Sequence, residues 1–294
     1  MVDRFSAKPA AVALGLASLL AAAPLSARAC EGVGVITRID GAPQDVVITR
    51  LENGKPTVVS RPRVLEVICQ DDSIHAGGAT SIVLSVDGHG VVKIDRGVDY
   101  RVPAKSGAPS IAGNAYRTIN DEVMPDMKRL PWSVRIKGAG DDFGFALPDM
   151  PGGGQQLQAG HRSLLVRLVG GTPPYKVELH AASGALAASQ TSTGHEVVLG
   201  GVDLAPGAYQ INVSDAASSQ LSAPVTVVAA APPAQDTFDG LSDPEVRAAA
   251  TATSLARSSP GVWSFEAEQM IAAAPESGLD RDKVYELIES YAAD

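Results

Sequence analysis

Between Cys69 and Pro103 the chain alternates apolar and polar residues with a period of two, and glycine-bearing turns cut the alternation into short pieces. Ile82, Leu84 and Val86 alternate with Ser81, Val83 and Ser85. Asp87-Gly88-His89-Gly90 breaks the run, after which Val92 and Ile94 alternate with Lys93 and Asp95. Arg96-Gly97 breaks it again, and Val98, Tyr100 and Val102 alternate with Asp99 and Arg101. Successive side chains of a strand point to opposite faces, so this pattern predicts three antiparallel strands with one face on a core and one in water. The expected arrangement is a meander over residues 82–102.

The preceding residues supply partners. VGVITRID follows Cys30 and its neighbours, and VVITRL (Val46 to Leu51) leads into Glu52-Asn53-Gly54-Lys55. An Asn-Gly pair between two β-rich runs predicts a hairpin, because both central residues of its turn need positive φ. Thr57–Val59 is the return strand, Pro62 a break, and Val64–Cys69 a further strand. Residues 30–105 are therefore predicted to form a small all-β domain of about seven short strands, a barrel or a sandwich.

The N-terminus has the layout of a secretory signal. Arg4 and Lys8 precede an apolar run from Ala10 to Ala23, Pro24 ends it, and Ala27-Arg28-Ala29 places small residues for cleavage before Cys30. Residues 1–29 are read as a signal peptide and the mature protein as periplasmic or otherwise exported. The run is short for a span of ~30 Å, and no integral span is expected in the mature chain. Removing three cations and one anion with it takes the net charge from −9 to −11. The chain has two cysteines, Cys30 and Cys69. In an oxidising compartment they are expected to form a disulfide tethering the new N-terminus. The alternative is a lipid on Cys30, against which stand Arg28 at −2 and the absence of leucine at −3.

Residues 106–130 are rich in Gly, Ala, Ser, Asn and Pro and read as a linker, with a short helix around Thr118 to Lys128. From Pro131 to residue 230 the turn signals recur at the spacing of a second β-sandwich. Its expected strands are Ser133–Lys137, Phe145–Leu147, Leu164–Val169, Tyr175–His180, Ala187–Gln190, Glu196–Leu199, Ala208–Asp215 and Pro224–Val228. Residues 231–240 read as a linker and 241–294 as a helical element. There Ser242 and Glu245 suggest a capping box, and Leu241 and Val246 a hydrophobic staple. Ser264 opens a second helix and Asp280 a third, in which Val284, Leu287, Ile288 and Tyr291 make one apolar stripe.

No catalytic constellation is apparent. The acidic balance and the 4% aromatic content argue against nucleic-acid binding, which needs clustered cations. His75, His89, His161, His180 and His195 show no zinc-type spacing. His75 and His89 are expected to be exposed beside turns. Asp71-Asp72 and Asp141-Asp142 could supply oxygens to calcium or act as hydrolytic groups, but carboxylate pairs in turns are more often simply solvated. Gly152-Gly153-Gly154 lacks the Lys and Ser/Thr of a phosphate loop and reads as a plain loop. Trp132 and Trp263 are expected to be packing anchors. No metal, cofactor or catalytic residue is expected.

Two resemblances add to this. The order VGVITRIDG, a hairpin, then VICQDDSIHAGGATSIVLSVDGHGVVKIDRGVDYRVP resembles the FecR-like domain of bacterial envelope proteins. Gly41, Asp72, Ile74, Gly77, Gly78, Asp87, Gly88, Val92 and Ile94 stand at matching places, while Asp71 replaces the glycine expected before the aspartate. The resemblance implies structural roles for Asp72, Gly77 and Gly78. It does not imply the signalling role of the family's regulators, whose anti-sigma segment and membrane helix are not read here. Leu204-Ala205-Pro206-Gly207-Ala208-Tyr209 is similar to the tyrosine corner of immunoglobulin-like or fibronectin-type sandwiches, which implies that the Tyr209 hydroxyl bonds to upstream backbone. The expected fold is thus mainly β: a FecR-like domain, an Ig-like sandwich and a short three-helix element. The expected function is non-catalytic binding or scaffolding at the cell envelope, with a protein or glycan partner. The alternatives are an envelope sensor or regulatory component, or a hydrolase using the aspartate pairs.

Overall fold

The strands of the first module divide between two sheets, as alternating patterns with one apolar face require. The computed structural model describes residues 30–52, 55–103, 112–129, 143–232 and 238–292. The segment 1–29, the Asn53-Gly54 turn, the expected strand 133–137, Trp132 and Asp141-Asp142 lie outside the described residues. The strands β1 (Gly32–Asp40), β2 (Val46–Glu52), β3 (Lys55–Ser60), β4 (Val67–Cys69), β5 (Ser73–Ala76), β6 (Ser81–Val86), β7 (Gly90–Ile94) and β8 (Asp99–Arg101) form two four-stranded sheets. Their orders are β4-β1-β6-β7 and β3-β2-β5-β8. Ile36, Ile48, Ile74, Ile82, Leu84 and Ile94 fill the space between them. β2 and β3 pair up to Glu52 opposite Lys55, which leaves two residues for the turn.

The meander does not survive intact. β6 pairs with β7, but β8 pairs with β5 through Ser73↔Arg101, Ile74↔Tyr100 and His75↔Asp99. The Arg96-Gly97 turn is tied to the other sheet, where the Gly97 amide donates to the Ala76 carbonyl at 2.6 Å. Alternation identifies a strand without naming its neighbour. The expected strand 64–69 is also shortened to Val67–Cys69, because Leu65 adopts a φ of 66°. That conformation is costly for a branched residue. It is held by the Leu65 amide donating to Ile36 O at 2.7 Å and the Ile36 amide donating to Glu66 O at 3.0 Å.

The second module is a two-sheet β-sandwich. β9 (Gly144–Phe145), β11 (Gly160–Val169) and β14 (Glu196–Leu204) make one sheet in the order β14-β11-β9. β10 (Gln156–Gln158), β12 (Tyr175–Ala181), β13 (Leu186–Ser192), β15 (Gly207–Ser214) and β16 (Gln220–Val228) make the other, ordered β10-β16-β15-β12-β13. The short β10 is unforeseen in sequence; it lies parallel to β16, directly after the triple glycine. The alanine-rich β13 is present despite its weak propensity, paired along its length with β12. Tyr175 is fully buried, and its hydroxyl donates to Gly170 O at 2.8 Å.

The helix expected around Thr118 to Lys128 is present and starts earlier, at Ala112. α1 (Ala112–Thr118) and α2 (Met124–Met127) flank a π-helical turn, Ile119–Val123. Tyr116 packs so close to β1 that a Cβ on Gly32 would lie 2.6 Å from that of Tyr116. The remaining helices are α3 (Pro244–Ser258), α4 (Ser264–Ala273) and α5 (Arg281–Ala292). The cap of α3 is Asp243, whose Oδ1 accepts from the Glu245 and Val246 amides at 2.9 and 3.1 Å. The expected capping residue Ser242 instead donates to Asp87 of the first module. With Asp243 as the cap, Glu245 stands at the second helical position rather than the third that a capping box needs, and its carboxylate holds the α4–α5 connection through the Ser277 and Leu279 amides and Arg281. Burial pushes its carboxyl up, but those hydrogen bonds outweigh burial and hold it below the usual range.

The helices are mortar between the two β modules. One continuous core takes in Val35, Leu65 and Val67 of the first module, Ile119 and Val123 of the π turn, the sandwich interior, and Leu255, Phe265 and Leu287 of the helices. Polar ties follow the same path: the Asp280 amide donates to Thr37 O at 2.8 Å, and Tyr291 Oη donates to Asp126 at 3.0 Å. α4 also completes a sheet. β9 reaches only Leu168 and Val169 of β11. Nearby, Gln269 of α4 takes the place of a strand: its Oε1 accepts from the Leu165 amide at 2.7 Å and its Nε2 donates to Leu165 O at 2.9 Å. Replacing Gln269 by Leu keeps the volume and strands both backbone groups. We expect a loss of about 2–3 kcal/mol by guanidinium denaturation; a loss below about 0.5 kcal/mol would show that the pairing contributes nothing net.

Candidate functional site

The expected site residues fall into two places. Cys30 and Cys69 are disulfide-bonded, with Cα atoms 5.5 Å apart. A Cys30 sulfur in that bond has no valence left for a thioether lipid. Asp72 is buried beside them and accepts from Arg50 Nε at 3.2 Å, Arg50 Nη2 at 2.9 Å and the Cys69 amide at 2.8 Å. Its neighbour Asp71 points outward to Arg101 at 3.2 Å, so the two carboxylates diverge. Gly77 donates its amide to Asp45 O at 2.8 Å, and Gly78, at φ +58°, leaves only 2.6 Å between a built Cβ and the Asp45 carboxylate. These residues are architectural. His75 is paired with Asp99 at 2.7 Å on the exterior, and His89 is exposed in its turn. Among the described residues no group of three or more His, Cys, Asp or Glu side chains could hold a metal ion.

Tyr209 belongs to a different place. Its hydroxyl accepts from the Ala205 amide at 3.2 Å, four residues upstream, which fixes the corner before β15. The residue also borders an open concavity of about 480 Å³ on the five-stranded sheet, lined further by His180, Ala182, Gln210, Asn212 and Pro224.

Strand register builds this face. Residues at alternate positions of β12, β15 and β16 point away from the sandwich core. The pairing sets His180 opposite Gln210 and Gln210 opposite Pro224, and sets Glu178 opposite Asn212 and Asn212 opposite Ser222. The next row carries Lys176, Ser214 and Gln220. Adjacent strands are spaced by about 4.8 Å, so the rows offer donors and acceptors at a regular interval. Gln210 Nε2 donates to Ser222 Oγ, which donates to Asn212 Oδ1 at 2.8 Å. Charge is confined to one local group. Lys176 lies 2.5 Å from Glu178, and His180 3.6 Å from it. The hydrogen bond from Lys176 is the main reason the Glu178 carboxyl sits below the usual range. The face can therefore offer neutral hydrogen bonds without a net field.

None of Gln210, Asn212 and Ser222 stands out in the sequence. Polar residues at every second position are what any solvated strand face carries, and only register aligns them across neighbouring strands.

No protein-family profile matches the chain, and no curated protein matches it. Solved structures give partial likenesses. CopC from Methylosinus trichosporium OB3b matches 26% of this chain and 83% of its own, at 19% identity and a TM-score of 0.21. The ZIG-8–RIG-5 IG1–IG1 heterodimer matches 37% of this chain and 98% of its own, at 15% identity and a TM-score of 0.19. The Bacteroides ovatus glucan-locus protein SGBP-B, in complex with a mixed-linkage heptasaccharide, matches 65% of this chain and 41% of its own, at 11% identity and a TM-score of 0.20.

Proposed function

We propose that this is an exported, non-catalytic binding protein of the cell envelope, and that its ligand is a neutral glycan laid across β12, β15 and β16. The observation that carries the reading is the alignment of His180, Gln210, Asn212 and Ser222 in rows on one locally charge-balanced sheet face, where the first three line an open concavity. A glycan presents hydroxyls at repeating intervals and no charge, which suits amide and hydroxyl partners. Export is supported by the layout of residues 1–29 together with the Cys30–Cys69 bond, which persists in oxidising compartments. The FecR-like reading of residues 30–105 gives the first module the role of a base on which the sandwich is mounted. A hydrolytic role for Asp71 and Asp72 has no support in their geometry, since Asp72 is engaged by Arg50 and Asp71 by Arg101.

The test is an NMR titration of the mature chain with neutral oligosaccharides and with anionic ones of equal length. Saturable shifts confined to β12, β15 and β16 are expected with the neutral series. Changing Gln210 and Asn212 together to Ala should weaken binding about tenfold, the effect of losing one or two net hydrogen bonds. Shifts that map to the first module, or no saturable shifts with any sugar, would remove this face from the account.

A further inference from the structure

An unevenly balanced group of charges lies under the helices, away from β12, β15 and β16. Arg167 of β11 points outward from the sandwich beneath α4 and α5. Three carboxylates meet its guanidinium: Glu196 of β14 at 3.2 Å, Glu289 of α5, and Glu268 of α4 at 3.8 Å. The Tyr285 ring of α5 lies under the guanidinium, 4.2 Å from ring centroid to Cζ. Glu268 is 1% exposed, and its Oε1 has no hydrogen-bond partner. One turn earlier on the same helix, Ser264 Oγ is also buried and unpartnered. Asp149, from the loop before β10, adds further negative potential to Glu268. The Arg167 guanidinium is already engaged by Glu289 and Glu196, so a further buried anion at Glu268 has no counter-charge of its own.

We propose that this cluster is a pH-sensitive clasp, in which the loss of a proton from Glu268 loosens the grip of α4 and α5 on the three-stranded sheet. Burial, reinforced by Glu289, pushes the Glu268 carboxyl up to about 8. Burial likewise pushes Glu289 up to about 7, against the opposing pull of Arg167. Both lie above their ordinary value, so the docked state holds protons that the undocked state releases. Docking is therefore fully supported at low pH and weakens as pH rises through the window from about 4.5 to about 8. What loosens matters, because these helices also carry the tie from Asp280 to Thr37 and so join the sandwich to the first module.

Hydrogen exchange of the α5 amides tests this in the full mature chain, at about pH 6 and about pH 8.5, after correction for the intrinsic pH dependence of exchange. The opening equilibrium is expected to be at least about tenfold more populated at the higher pH, since a carboxyl that is protonated when docked and ionised when free favours opening by about tenfold for each pH step between the two conditions. Glu268→Gln should abolish most of that difference, and Glu52→Gln, at an exposed carboxylate of β2 outside the cluster, should preserve it. Protection that does not vary with pH in the unaltered chain overturns the proposal. So does a Glu268→Gln protein that keeps the full difference, or a Glu52→Gln protein that loses it.

Discussion

Changing Asp72 to Ala destabilises the protein by about 3–5 kcal/mol, the largest loss expected from any single substitution here. The cost does not come from a lost surface ion pair. Arg50 is 9% exposed, and its guanidinium has Asp72 and the Val67 carbonyl as its hydrogen-bond partners. Removing the carboxylate leaves a buried cation with one carbonyl, and strips the Cys69 amide of its acceptor. Asp72→Asn should fall between the two, because it keeps an acceptor for Cys69 but not the charge. Equilibrium denaturation in urea is the measurement, read as a midpoint shift at constant slope. A loss under about 1 kcal/mol for Asp72→Ala would mean that Arg50 escapes to solvent, and the buried pair would then have little structural weight.

Changing Cys30 and Cys69 together to Ser costs about 4 kcal/mol by the chain-entropy argument for cysteines 39 residues apart. The bond ties the first described residue to β4, whose partner β1 begins two residues later. Without it, the start of β1 depends on its pairing with β4 and β6. The unaltered protein under reducing conditions should show the same loss, and agreement between the two experiments excludes an effect of serine itself. Because Asp72 accepts from the Cys69 amide, the losses from the two changes should not add. Strict additivity would place the disulfide and the ion pair in separate stabilising units.

Much of the architecture is legible from residue pattern. Alternation locates most strands of both modules, and the single pair of cysteines permits one intramolecular bond. The apolar stripe of Val284, Leu287, Ile288 and Tyr291 identifies α5. What pattern does not convey is partnership between distant residues. Residues 106–130 read as a linker with a short helix around Thr118 to Lys128, because their Gly, Ala, Ser, Asn and Pro content signals flexibility; the helical stretch in fact starts earlier, at Ala112, and Tyr116, Ile119 and Val123 join the helical core. β8 obeys its alternation but crosses to the opposite sheet. Ser242 and Asp243 are both good caps, and only the contact of Ser242 with Asp87 decides between them. The candidate face is the extreme case. Its three amide and hydroxyl residues acquire meaning from register alone, whereas Tyr209, singled out for its corner, turns out to border it.

The helical mortar bears on how the chain can be cut. Its seams at residues 105 and 240 look like natural places to separate three pieces. Each cut would expose greasy surface that the missing piece now covers: Val35, Leu65 and Val67 on one fragment, Leu255 and Leu287 on another. The fragments are therefore incomplete as folding units, and removal of residues 241–294 reports on the integrity of the whole rather than on a docking surface of the helices. The same bonding limits how such a chain can be assembled by recombination. A new sandwich cannot simply be spliced onto the old base, because the helix face between them is shaped to both.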